Sequence, residues 1–101
     1  MTETAWIHYA RPRPHWYQAS EEERSSLLRR WGEIASEARE DGARALGRFH
    51  VRGQHDFETV EIWTFPSAQR VFDYWARLTA AEYGEWIGFS NTIGLSGETT
   101  P

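Results

Sequence analysis

The apolar positions of this chain change their period several times, and each change marks an element. Ala5 to Arg11, with Trp6, Ile7, His8 and Tyr9, has the β-branched and aromatic content of a pleated strand. Pro12 and Pro14 end it, because proline cannot donate to a ladder. From Glu21 to Asp41 the period becomes helical, with Leu27, Trp31, Ile34 and Ala38 in one stripe. Ser20 followed by Glu23 predicts a capping box at its start, and Gly42 a stop at its end. Two strands follow, Ala45 to Arg52 and Phe57 to Phe65, joined by a loop over 53–56. Pro66 and Ser67 then open a second helix with Val71, Phe72, Trp75 and Leu78 as its apolar stripe. Phe89 to Leu95 reads as a last strand, and residues 97–101 as a frayed tail.

This order predicts an α+β, ferredoxin-like β-α-β-β-α-β domain spanning 1–101. A four-stranded antiparallel sheet would carry two helices on one face, in the strand order 4-1-3-2. The hairpin register pairs Phe49 with Val60 and Gly47 with Ile62. These apolar pairs, with Ile7 and Tyr9, are expected beneath the helices. The opposite face would then carry Trp6, His8, Leu46, Arg48, His50, Thr59, Glu61 and Trp63. Two Trp and a Leu on that face would leave an exposed apolar patch, so a homodimer packed sheet on sheet is expected.

Composition narrows the chemistry. The net charge of -4 gives no electrostatic case for nucleic acid. No apolar run is long enough for a membrane span and no leader pattern opens the chain, so a cytoplasmic location is expected. Without cysteine there is no thiolate chemistry and no zinc-thiolate site. All eleven basic residues are Arg, which removes a Schiff-base or phosphate-loop lysine. Proton transfer would fall to His, Asp/Glu or Tyr.

His8 and His50 stand on strands, whereas His15 and His55 fall in loops. Glu61 is expected between His8 and His50 in the sheet, a set that could hold a metal. An ion pair with Arg48, directly opposite, is the plainer reading of Glu61, so no metal site is assigned. Tyr74 could donate to a substrate oxygen or simply pack beside Phe72 and Trp75. Tyr83, Trp86 and Asn91 gather near the end of the second helix, where a pocket mouth is expected.

With Glu61-Ile62-Trp63-Thr64-Phe65 leading through Pro66-Ser67 into a helix, the chain resembles the dimeric α+β barrel superfamily. That group includes antibiotic-biosynthesis monooxygenases, polyketide cyclases and stress-responsive barrel proteins. Trp63, Phe65-Pro66, Trp86, Phe89 and Asn91 bring it closest to an uncharacterised bacterial family. Ser67, Asp73 and Tyr74 match the cyclase pattern, but the second helix lacks the histidine on which cyclases and haem-degrading relatives rely. The resemblance implies a small-molecule enzyme of secondary, natural-product metabolism that needs no cofactor. It would cyclise, isomerise or oxygenate an aromatic or polyketide-like substrate. His50, His8, Tyr74 and Glu61 would be catalytic, with Trp6, Arg48, Trp63, Tyr83, Trp86 and Asn91 binding substrate. The alternative is a non-catalytic ligand-binding or accessory protein.

Overall fold

The computed structural model describes residues 3–53 and 55–96. Strand β1 (Thr4–Pro12) leads through a 3-10 turn (Pro14–Gln18) to helix α1 (Glu21–Glu40). Strands β2 (Arg44–His50) and β3 (Thr59–Phe65) precede helix α2 (Ala68–Ala80). A four-residue helix α3 (Tyr83–Trp86) then hands the chain to β4 (Ile87–Leu95). The expectation for residues 97–101 lies outside the described residues.

The helix boundaries follow from local chemistry. Ser20 Oγ accepts from the Glu23 amide at 3.0 Å, which satisfies one of the free donors at the start of α1. Three glutamates in that first turn complement the helix dipole. Gly42 leaves α1 at φ 104°, and a Cβ there would stand 3.0 Å from Pro66 Cγ. Ser67 repeats the cap on α2, accepting from the Arg70 amide at 3.3 Å. The 3-10 turn has a weaker sequence signal. Arg11-Pro12-Arg13-Pro14 predicts only a stiff exit from β1, yet the turn buries Trp16 against Trp31 and Trp86.

The sheet is antiparallel, in the order β2-β3-β1-β4, as expected. The hairpin register is also as expected, with Phe49 opposite Val60, Arg48 opposite Glu61 and Gly47 opposite Ile62. A bulge between Ala45 and Gly47 then turns Leu46 outward, 57% exposed.

The assignment of faces is reversed. Trp6, His8 and Trp63 lie beneath the helices at 1–2% exposure, with Phe65, Ala10 and Thr4 beside them. Ile7, Tyr9, Val60 and Ile62, expected in the core, lie on the open face and are only partly buried, and Phe49 is 56% exposed. Both faces of β1 and β3 are apolar, so a one-residue shift of parity moves every side chain across the sheet. The larger aromatic payload decides it. Trp6, Trp63 and Phe65 bury more surface than Ile7, Val60 and Ile62 can offer. On α2 the buried stripe is Val71, Tyr74 and Leu78, while Phe72 is 55% exposed.

The core is an aromatic lattice. Trp6 meets Trp63, Phe65 and Tyr74 edge to face, with centroids 5.3–6.3 Å apart. Helix α2 packs on β1 and β3, and α1 packs chiefly against α2. A cleft remains between α1 and the sheet.

Candidate functional site

One polar row crosses the helix side of the sheet. Arg48, Glu61, His8 and Asn91 stand in register on β2, β3, β1 and β4. His8 is 1% exposed, and both ring nitrogens are held. Nδ1 lies 2.6 Å from Asn91 Oδ1, and Nε2 lies 2.6 Å from the Tyr83 hydroxyl. An amide oxygen only accepts, so Nδ1–H donates to Asn91 and Nε2 accepts from Tyr83 O–H. That is a neutral imidazole with its capacity filled.

The electrostatics agree with that state. Burial pushes His8 below its usual value, partly opposed by the Asn91 hydrogen bond and the Glu61 carboxylate. Burial and the same carboxylate push Tyr74 and Tyr83 far up, so both phenols keep their protons. Trp6 stacks on His8 with centroids 4.6 Å apart. Trp63 donates from Nε1 to Glu61 Oε1 at 3.2 Å, and the Arg39 guanidinium sits 5.0 Å over the Trp63 ring. The buried Trp6 Nε1–H meets no acceptor among the described residues.

A cleft of about 340 Å³ opens over Trp6, His8 and Glu61. That volume is at the small end for organic-ligand pockets. Trp31, Leu28, Gly32 and Ala35 line it from α1, and Tyr74 and Leu78 from α2. Trp6, His8, Glu61 and Arg48 line it from the sheet. Small residues at 32 and 35 keep α1 from closing down. A Cβ built on Gly32 meets nothing within 4 Å.

The residues singled out from sequence are thus only partly brought together. His8, Glu61, Tyr74, Trp6, Arg48 and Tyr83 share the cleft, and Asn91 supports it from behind His8. Tyr83 and Asn91 meet at the buried imidazole and not at a pocket mouth. His50 is exposed on the edge strand beside Thr59, one row away from Glu61. Trp63 is buried behind the cleft. Trp86 packs with Trp16 and His15 and does not line the cleft.

The expected Arg48–Glu61 ion pair is not formed. The ion pairs among the described residues are Arg44–Glu3, Arg70–Asp41 and Arg77–Glu37. Glu61 is committed to the Trp63 indole instead. Among the described residues, no group of three His, Cys, Asp or Glu side chains could hold a metal. Trp31 and Gly32 are among the cleft residues the sequence reading missed, as are Leu28, Ala35 and Leu78. They sit in helical stripes that read as plain core, and Gly32 in mid-helix is the one signal that could have marked a gap.

No protein-family model matches the chain, and no curated protein matches it in sequence. Solved structures do match in fold. A mutant chlorite dismutase from Candidatus Nitrospira defluvii, in complex with cyanide, aligns with a TM-score of 0.77 and 10% identity. The match covers 97% of this chain and 41% of that one. A haem-binding protein from Thermus thermophilus aligns with a TM-score of 0.72 and 16% identity, over 97% and 43% of the two chains. A chlorite dismutase-like protein aligns with a TM-score of 0.67 and 22% identity, over 90% and 43%. The chain therefore spans less than half the length of these neighbours.

These likenesses define the class of fold, a ferredoxin-like α+β domain of the kind built into chlorite dismutases. They also correct the functional expectation. The neighbours are chlorite dismutases and a haem-binding protein, not cyclases or monooxygenases of natural-product biosynthesis, so the cofactor-independent enzyme of secondary metabolism is set aside. The likeness to antibiotic-biosynthesis monooxygenases reduces to the shared fold. No helix among the described residues is long and apolar enough to cross a membrane.

The donor set does not fit an iron-ligated haem. His8 is the one histidine lining the cleft, and its only lone-pair nitrogen is taken by Tyr83. The Tyr83 hydroxyl is in turn committed to that nitrogen. The walls are rich in aromatic side chains, with Trp6, Trp31, Tyr74 and Tyr83 among the lining residues, a composition that suits a flat conjugated molecule.

Proposed function

We propose that this chain binds a flat, conjugated, carboxylate-bearing organic ligand of the tetrapyrrole kind in the cleft between α1 and the sheet. The ligand is held by its faces and edges, not through an iron. The observation that carries this reading is the aromatic cleft floored by a fixed, neutral His8. Arg48 lines the same cleft and is in none of the ion pairs among the described residues, which leaves its guanidinium for a ligand carboxylate. The haem-binding neighbour supports the ligand class by likeness of fold. Titration with hemin and with metal-free protoporphyrin IX, followed by tryptophan quenching, tests the proposal. Comparable affinity for both is expected. Tight binding of hemin alone, lost in His8→Ala, contradicts it.

The open face of the sheet is the second part of the proposal. Ile7, Tyr9, Val60 and Ile62 are partly exposed there, and Phe49 largely so. A contiguous apolar face of this kind suits a second copy of the chain packed sheet on sheet. The homodimer keeps the cleft of each copy on its outer, helix-covered side.

A further inference from the structure

We infer that Trp6 determines specificity in the cleft, and that its indole N–H selects ligands carrying a neutral conjugated carbonyl, such as a lactam or quinone oxygen. The inference rests on the proposed cleft site and names the group that must reach its floor. Trp6 is 1% exposed and lines the cleft, and its Nε1 is the one buried side-chain polar atom without a partner among the described residues. Among the described residues no acceptor stands within hydrogen-bond reach of it. Nearby, Glu61 Oε1 takes the Trp63 indole, Asn91 Oδ1 takes His8 Nδ1–H, and His8 Nε2 takes the Tyr83 hydroxyl. A buried donor left unpaired is costly, so an acceptor arriving with a ligand is stabilised there more than it would be in water.

Charge decides which acceptor. Glu61 already places a negative charge close enough to act on His8, Tyr74 and Tyr83. A ligand carboxylate at the same depth would face that charge with only a neutral imidazole and one indole N–H to offset it. Its place is at Arg48, the one cationic side chain lining the cleft. A neutral carbonyl takes the N–H at the floor without that penalty.

A matched pair of flat probes tests this. Anthraquinone-2-carboxylate and anthracene-2-carboxylate differ only in the two carbonyls. The wild-type chain is expected to bind the quinone about tenfold tighter, the factor that 1.4 kcal/mol sets. Trp6→Phe keeps an aromatic ring and removes the donor, so it is expected to bind both probes equally. In wild type, the Trp6 indole N–H resonance should lie farther downfield with the quinone than with the anthracene, as a hydrogen bond to a carbonyl requires, a readout that survives if the variant folds poorly. Equal binding of both probes by wild type overturns the inference, as does a preference that persists in Trp6→Phe. If protoporphyrin IX binds while the quinone preference is absent, this inference alone falls. If no probe binds, the cleft reading falls with it.

Discussion

The Tyr83 hydroxyl stands 2.6 Å from Nε2 of His8 and occupies that nitrogen's lone pair at the floor of the cleft. This bond ties α3 to β1 and fixes the tautomer that Asn91 anchors on the other side. Tyr83→Phe leaves a buried acceptor unpaired with little change of shape. The expected loss is about 1–3 kcal/mol of unfolding free energy. Urea titration measures it, and an unchanged midpoint would show that the bond contributes nothing net.

Acid should weaken the fold through the same residue. Burial holds His8 below its ordinary value of 6.5, so the unfolded chain takes up a proton before the folded one does. Stability is therefore complete above about pH 6.5 and falls as pH drops from there toward the folded value, by at most about 1.4 kcal/mol per unit. The groups acting on His8 are Asn91, Glu61 and Arg48. His8→Gln should flatten this part of the profile. Tyr74 and Tyr83, raised above 10.0, act at the other end, and stability should fall as pH rises past that value.

Gly32 gives a way to close the cleft without touching its floor. Space around a Cβ built there is open, so Gly32→Ala should stabilise α1 by roughly 0.5–1 kcal/mol through helix propensity. Gly32→Phe should retain the fold and fill the cleft. Loss of protoporphyrin binding with an unchanged thermal midpoint is the expected pair of results.

The open sheet face predicts its own variant. Ile62→Arg places a charge among Ile7, Tyr9, Val60 and Phe49, where an approaching sheet would bury it unpaired. Sedimentation velocity is expected to show dimers for the wild type and single chains for the variant. Single chains in both would remove the pairing proposal and leave the cleft untouched.

Element order and register were legible because they depend on local signals. Ser20, Gly42, Pro66 and Ser67 punctuate the chain, and the hairpin loop sets the Arg48–Glu61 pairing. The face of the sheet was not legible from those signals. Ile7 and Trp6 are both apolar, and the helix packing that separates them is a tertiary fact. The error had consequences for the site. Turning the sheet over takes His8, Glu61 and Arg48 from an expected interface into the cleft under α1. His50 drops out for a different reason, since it is exposed on the edge strand β2 beside Thr59, a row away from Glu61. The meeting of Tyr83 and Asn91 at His8 requires the turn through α3. Glu82 makes that turn in the left-handed region, at φ 66°, and no glycine marks it in the sequence.

Amide and indole chemical-shift mapping with protoporphyrin IX tests the central claim most directly. Shifts concentrated at the indole N–H groups of Trp6 and Trp31 and the amide of Gly32 are expected, since these line the cleft. Shifts confined to Gly47, Val60 and Ile62 on the open face, or none at all, would contradict it.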